Sequence, residues 1–234
     1  MKIANLVAFV PMRHTSVRVP GKNYRPIAGK PLYGYILDTL LQVPEINQIV
    51  VDTDSPIILE GLSRDYPMVI GVERPEHLRA DTVPMNDVLL HDTSLVKSDW
   101  YLQTHSTNPM LRAETIQRAI HTLEADYPNH DTLFGVTRLQ TRLWDANNQP
   151  INHNPAELLR TQDLPPVFED NSCLYLFQRK AITKFGTRLG ANPLMFEIPA
   201  AEAVDIDDEL DFTIAALMLE ARGVAQDATH EETK

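Results

Sequence analysis

The sequence holds a single cysteine, Cys173, so no intramolecular disulfide can form, and a reducing cytoplasm is the simplest expected setting. Cys173 lies in the alternating apolar pattern NSCLYLF, which reads as a small core residue and not a reactive thiol. No stretch approaches the roughly 20 apolar residues needed to span a bilayer. The opening MKIANLVAFVPMR places Pro and Arg where a signal peptide would continue to a small-residue cleavage site, so it is expected to be a buried strand. Basic residues are outnumbered: 21 Lys and Arg stand against 32 Asp and Glu, a net charge of −11. Such a surface repels nucleic acid and anionic membranes, so neither is an expected partner, and an anionic ligand needs a local basic cluster. Neither the Walker motif G-x-x-x-x-G-K-[ST] nor the dinucleotide fingerprint G-x-G-x-x-G occurs.

What is present is ample apolar content, 43% of 234 residues, enough for one large domain expected to span residues 1–234. Short β-branched runs (IANLVAFV, INQIVVDT, PMVIGV, DWYLQT, TLFGVT, CLYLF, LMFEIP) alternate with helical patterns (PLYGYILDTLLQ, SPIILEGLSRD, DTVPMNDVLLHDTSLV, RAETIQRAIHTLEADY). That order predicts an α/β fold: a three-layer, doubly wound, mostly parallel sheet with ligands at the carboxyl ends of its strands. The alternation fails over residues 139–170, crowded with Asn, Pro, Gln and charge, which predicts an excursion carrying a hairpin and a short helix that pack on another subunit. The polar last twelve residues, GVAQDATHEETK, are expected to fray.

Four segments could carry chemistry. In VPMRHTSVRVPGKN the side chains of Arg13, Arg18 and Lys22 can converge on one anion beside exposed backbone N–H groups, with Pro20-Gly21 as a turn; a triphosphate fits that cluster. In VDIDDELDF, Asp208, Glu209 and Asp211 are explained by the favourable field of a helix N-terminus. Asp205 and Asp207 precede the helix on the same side of an extended chain, and two such carboxylates suit Mg²⁺. LQTHSTNPMLRAE offers His105, Ser106, Thr107 and Asn108 to a hydroxyl-rich substrate, or is an ordinary helix-capping turn. VERPEHLRADT places Arg74, Arg79 and Asp81 in a polar loop.

With these segments in this order, the chain resembles the acylneuraminate cytidylyltransferases, the family that makes CMP-activated sugar acids, over nearly its whole length. That family's loop reads roughly P-A-R-x-G-S-K-G-I-P-G-K-N, matched by Pro11, Arg13, Ser16, Pro20, Gly21, Lys22 and Asn23. AGKPLYGYIL, VDTD, RPEHLRADT, HSTNPMLR, RTQDLPPVFEDNS and DIDDELD then follow in the family's order. The resemblance implies a nucleotide-diphospho-sugar transferase type of Rossmann-like fold and a Mg²⁺-dependent reaction of CTP with a 2-keto-3-deoxy sugar acid, giving the CMP-sugar and pyrophosphate. Arg13, Ser16, Arg18, Lys22 and the loop amides would hold the triphosphate, with Asn23, Arg74 and the Leu78 to Asp81 backbone, Ala80 included, framing ribose and cytosine. His105, Thr107, Asn108 and Asn171 would face the sugar, and Asp205 and Asp207 would bind Mg²⁺. Lys22, Arg13 and Asp207 would be catalytic. Arg160 and Gln162 fall in the excursion, which in the family is a dimerisation arm reaching a neighbour's site, so a homodimer with shared active sites is expected.

The chain departs from that pattern at several points. His14 and Thr15 replace loop glycines, Val17 replaces a Lys with Arg18 one place later, as in the related octulosonate synthetases, His105 replaces a Gln, and Ser172 replaces a Gly. These changes touch the acceptor side and leave open an acylneuraminate-like acid, an octulosonate-like acid or a phosphonate. A glycosyltransferase with a D-x-D metal motif is the rival enzyme class, since DTD at 52–54 and DID at 205–207 both satisfy that pattern.

Overall fold

The computed structural model describes residues 1–231 and, through residue 223, their side chains. The run Leu6–Phe9 forms β1, apolar at every position, and its alternate residues serve opposite faces: Leu6 and Ala8 join one core cluster, Val7 and Phe9 another. A strand buried on both faces belongs at the centre of an α/β sheet. There it pairs in parallel with β4 (Ile46–Thr53) and β6 (Trp100–Thr104), and β4 pairs in parallel with β5 (Ile70–Glu73). Beyond β6 the sheet continues through β8 (Val167–Phe177), β7 (Thr132–Leu139) and β9 (Pro193–Glu197), in the order β5-β4-β1-β6-β8-β7-β9. β8 alone of the seven runs against the others, because it follows β7 as the return strand of a long hairpin and not through a crossover helix. A small antiparallel pair, β2 (Pro26–Ile27) and β3 (Lys30–Pro31), leads into α1.

The helices complete three layers. α1 (Leu32–Leu41), α2 (Pro56–Asp65) and α4 (Ala113–Asp126) pack on the face that holds Leu6 and Ala8; α3 (Met85–Leu95) and α5 (Arg179–Phe185) cover the face that holds Phe9. Helix starts follow local chemistry. Pro56 occupies the first turn of α2, and the Ser55 hydroxyl accepts from the Ile58 amide at 3.3 Å, a cap of about 1 kcal/mol. α3 begins at Met85, four residues later than the helical pattern suggests, because Pro84 closes the preceding loop. The final helix, α6 (Glu209–Glu231), buries Phe212, Ala215 and Leu219 in a third cluster with Val19, Leu32 and Ile206. The fraying expected over residues 223–234 is not seen up to Glu231, where the backbone is still helical; residues 232–234 lie outside the described residues.

The excursion is the connection between β7 and β8. It carries an isolated bridge between Trp144 and Pro150 and a single 3₁₀ turn at Thr161–Asp163, and β7 and β8 remain paired as far out as Leu139 and Val167. The loops after β1, β4, β5 and β6 and the segment before α6 lie at the carboxyl ends of parallel strands, where the doubly wound order places ligands.

Candidate active site

The loop from Pro11 to Tyr24 leaves β1 and is built by four anchors. Asn23 donates its side-chain amide to the Arg13 carbonyl at 2.8 Å and accepts from the Ser106 hydroxyl at 2.7 Å. Asp54 accepts from the His14 amide at 2.7 Å, and the His14 ring stacks on Tyr24 with centroids 5.2 Å apart. Gly21 has a φ of +68°, and a Cβ there would lie 2.9 Å from the Tyr24 ring, so the turn before Lys22 needs glycine. Val19, fully buried against Leu32 and Phe212, pins the apolar side of the loop. The polar side forms one wall of a cleft of about 590 Å³.

That cleft gathers most residues singled out above: Arg13, Ser16, Arg18, Lys22, Asn23, Arg74, Ala80, Asp81, His105, Thr107, Asp205 and Asp207 all line it. Ile206 is fully buried between Asp205 and Asp207, so the extended alternation turns both carboxylates outward to the cleft. Arg18 donates to Asp207 at 2.6 Å, Arg13 pairs with Asp81 across the cleft, and the Lys22 ammonium donates to the Ile206 carbonyl. The basic loop is thus drawn onto the acidic segment 189 residues away in sequence.

Burial sets the electrostatics. It lowers the Lys22 pKa despite the nearby Asp205 and Asp207 carboxylates, and it raises that of Asp205. Burial also pulls His105 down to about 4, with Arg188 and Lys22 adding to the effect, so its imidazole is neutral near pH 7. Asp205 Oδ1 is buried with no hydrogen-bond partner, an orphaned acceptor that a divalent cation would satisfy. Among the described residues no group of three or more His, Cys, Asp or Glu could hold a metal unaided. Asp205 and Asp207 therefore fit an ion that completes its shell with substrate phosphate oxygens and water, as Mg²⁺ does.

Arg74 enters the cleft from the end of β5. It is 2% exposed, paired with the fully buried Asp52, and its Nη2 donates to the Asp52 carbonyl at 3.3 Å. Behind Asp52 sits Asp92 of α3, also buried, whose pKa is driven well up by burial and by the Asp52 charge. The DTD at 52–54 is thereby consumed internally: Asp52 holds Arg74 and Asp54 holds the His14 amide.

Two residues expected to face the sugar, Asn108 and Asn171, stand elsewhere, and Arg160 and Gln162 lie in the excursion as expected. Asn108 is fully buried and donates to the Val204 carbonyl at 3.4 Å, behind the cleft wall. Asn171 is buried in the β7–β8 irregularity, donating to the Thr137 hydroxyl and accepting from the Cys173 amide, both at 3.1 Å. Its neighbour Ser172, at φ +57°, lines the cleft in its place. Arg160 and Gln162 lie exposed in the excursion, Arg160 paired with Asp163 at 2.7 Å, and neither lines the cleft of its own chain.

A family model described as Cytidylyltransferase matches residues 7–211. The chain belongs to that family. Among cytidylyltransferase relatives, it is 26% identical over 228 residues to CMP-N,N'-diacetyllegionaminic acid synthase of Legionella pneumophila, covering 92% of this chain and 96% of that protein. It is 23% identical over 221 residues to N-acylneuraminate cytidylyltransferase A of Danio rerio, where 92% of this chain spans half of the longer protein. Among solved structures, CMP:2-keto-3-deoxy-manno-octonic acid synthetase in complex with CTP superposes with a TM-score of 0.72 at 19% identity, covering 94% of this chain and all of that one. A 4-diphosphocytidyl-2C-methyl-D-erythritol synthase from Anaerococcus prevotii superposes with a TM-score of 0.67 at 14% identity, covering 93% of this chain and 96% of its own. These likenesses establish the three-layer fold of this cytidylyltransferase-family chain.

Ser106, expected with its neighbours to meet a hydroxyl-rich substrate, spends its hydroxyl on Asn23 instead. Two further features had no motif to announce them. Asp92 sits at an internal helix position indistinguishable in sequence from a surface aspartate. Arg188, in the irregular stretch between α5 and β9, reaches the cleft only because the chain folds back there.

Proposed function

We propose that the protein is a Mg²⁺-dependent cytidylyltransferase that joins CTP to a 2-keto-3-deoxy sugar acid, acylneuraminate-like or octulosonate-like, and releases pyrophosphate. The observation that carries this reading is the juxtaposition of the basic loop, Arg13, Ser16, Arg18 and Lys22, with Asp205 and Asp207 in one cleft. Three cationic side chains suit the roughly four negative charges of a triphosphate, and the paired carboxylates suit its cation. Arg74, Asn23, Ala80 and Asp81 then frame the nucleoside, while His105 and Thr107 look onto the acceptor.

In the reaction the acceptor's anomeric oxygen bonds to the α-phosphorus as the bond from that phosphorus to the β-phosphate bridging oxygen breaks. Pyrophosphate carries away the electron pair, and the hydroxyl proton passes to a carboxylate oxygen of Asp207. Arg13, Arg18 and Lys22 hold the phosphates in line and neutralise the charge that builds on the leaving group. When bound, Mg²⁺ supplies Lewis-acid stabilisation of the phosphate oxygens beside Asp205 and Asp207. The neutral His105 offers a hydrogen bond to a sugar hydroxyl without adding charge.

The excursion over residues 139–170 is the proposed dimerisation arm, which would bring Arg160 and Gln162 to a second copy's cleft. Trp144, Ile151, Leu158, Leu159 and Phe168 are exposed there, an apolar set suited to burial against another copy. The setting is proposed to be the cytoplasm, where CTP is available; no helix among the described residues is long and apolar enough to cross a membrane.

Pyrophosphate release is the test: each of four nucleoside triphosphates is assayed with N-acylneuraminic, octulosonic and phosphonate acceptors, with and without Mg²⁺. CTP with a sugar acid and Mg²⁺ is expected to be the productive combination. Release of a nucleoside diphosphate would point instead to a D-x-D glycosyltransferase, and turnover confined to phosphonates would reassign the acceptor. Asp207→Asn is expected to keep the circular dichroism of the wild type and lose at least about 100-fold in rate. Near-normal turnover in that variant would remove Asp207 from the mechanism.

A further inference from the structure

Building on the cytidylyltransferase reading, we propose that Arg188 is the residue that binds the carboxylate of the acceptor, and so selects acids over neutral sugars. Arg188 lines the cleft beside His105 and Ser172. Its guanidinium lies over the Tyr175 ring with Cζ 3.5 Å from the centroid, and Nη1 donates to Gln103 Oε1 at 2.6 Å. The Tyr175 hydroxyl is tied in turn to Asp170 at 2.7 Å, and the Arg188 amide donates to the Asn86 side chain at 3.3 Å. The guanidinium is therefore preorganised by a stacked face and one edge. A single one of its five N–H donors is engaged among the described residues, which leaves a fork for a planar anion.

Charge pairing separates Arg188 from the other arginines of the cleft. Arg13 is paired with Asp81, Arg18 with Asp207 and Arg74 with Asp52. Among the described residues Arg188 has no carboxylate within ion-pair distance, although it is half-buried. A partly desolvated cation without a counter-ion is costly unless a ligand supplies one. Position decides which ligand group that is. The charges that face Lys22 are Asp205, Asp207, Arg18 and Asp211, which marks the phosphate and cation end. Arg188 is not among the charges that face Lys22 and is held instead on Gln103 of β6 and Tyr175 of β8, so it stands apart from that end while still facing His105. A bidentate carboxylate on a fixed guanidinium is the interaction that a neutral sugar cannot make.

The test is calorimetric and needs no turnover. N-acetylneuraminic acid, 3-deoxy-manno-octulosonic acid and the C1 carboxamide of each are titrated into the wild type, Arg188→Gln and Arg188→Lys, with CTP titrated separately as a control for folding. The wild type is expected to bind at least one acid about 10- to 100-fold more tightly than its carboxamide. Arg188→Gln is expected to lose that discrimination while its CTP affinity stays within about twofold, and Arg188→Lys to retain part of it. Three results would overturn the assignment: acid-over-amide discrimination kept in Arg188→Gln, a parallel loss of CTP affinity, or no binding of either acid by the wild type. Acid binding of the expected kind without pyrophosphate release would leave Arg188 in place and sink the transferase reading.

Discussion

His14 stands at the variable position of the family loop pattern, and its two attachments, the backbone amide on Asp54 and the ring on Tyr24, make it a strut between the loop and the end of β4. Its side chain also meets the Ser55 hydroxyl at 2.9 Å, so its contacts are to the scaffold. The same economy appears at Asp52 and Asp92, two buried carboxyls beneath Arg74. With its pKa raised by burial and by Asp52, Asp92 binds a proton in the folded state that it releases more readily when unfolded. The sign follows from linkage: the stabilisation is complete at pH below about 4, where a free aspartate titrates, and is lost as pH rises toward the elevated folded value. Urea unfolding from pH 5 to 8.5 should show the wild type losing stability relative to Asp92→Asn as pH increases. Parallel curves would mean that Asp92 is not protonated. The neutral His105 behaves oppositely, since its depressed pKa removes stability only as pH falls from about 6.5 toward 4.

At the scale of elements, two turns carry backbone conformations that their neighbours impose. Gly21→Ala should weaken the loop, because φ is +68° and the new methyl meets the Tyr24 ring; a loss of about 1–2 kcal/mol in unfolding is expected, with weaker CTP binding by calorimetry. Unchanged CTP affinity would show that the loop tolerates another path. Ser172 is the converse case, a side chain at φ +57° where the family pattern has glycine. Ser172→Gly should stabilise the protein by roughly 0.5–1 kcal/mol in the same assay, set against the loss of a 3.4 Å contact with the Tyr175 hydroxyl. Four helices were legible from periodicity and α6 from its acidic first turn, and each of the seven sheet strands was legible at least in part, INQIVVDT to the residue, whereas Val167–Asp170 of β8 falls in the expected excursion. α5 and the β2–β3 pair were not, because seven residues and two residues are too short for a period to emerge. The reversal of β8 was equally hidden, since CLYLF reads the same in either direction.

For the whole molecule, the question is what the excursion between β7 and β8 meets. Leu158 is 91% exposed, and covering an apolar set of this kind with another surface is favourable. Light scattering should find a species of two 26.4 kDa chains, and Leu158→Asp should shift it toward one chain with little change in thermal stability of the domain. A monomeric wild type would remove the shared-site proposal. The division of labour in the cleft is also a whole-molecule property. Arg18 and Asp207 are 189 residues apart and meet at 2.6 Å, which only the doubly wound order of the strands brings about.

By itself the sequence determined the alternation of strands and helices, the basic loop after the first strand, and the outward pair Asp205 and Asp207 around Ile206, because periodicity and local turn chemistry act over a few residues. Tertiary structure alone decided that Asn171 and Asn108 are spent on the scaffold, that burial and Asp52 push the Asp92 carboxyl toward its protonated form, and that Arg188 reaches the cleft with no counter-ion among the described residues. Those outcomes depend on burial and on which distant groups share a small volume, and neither is encoded in spacing along the chain.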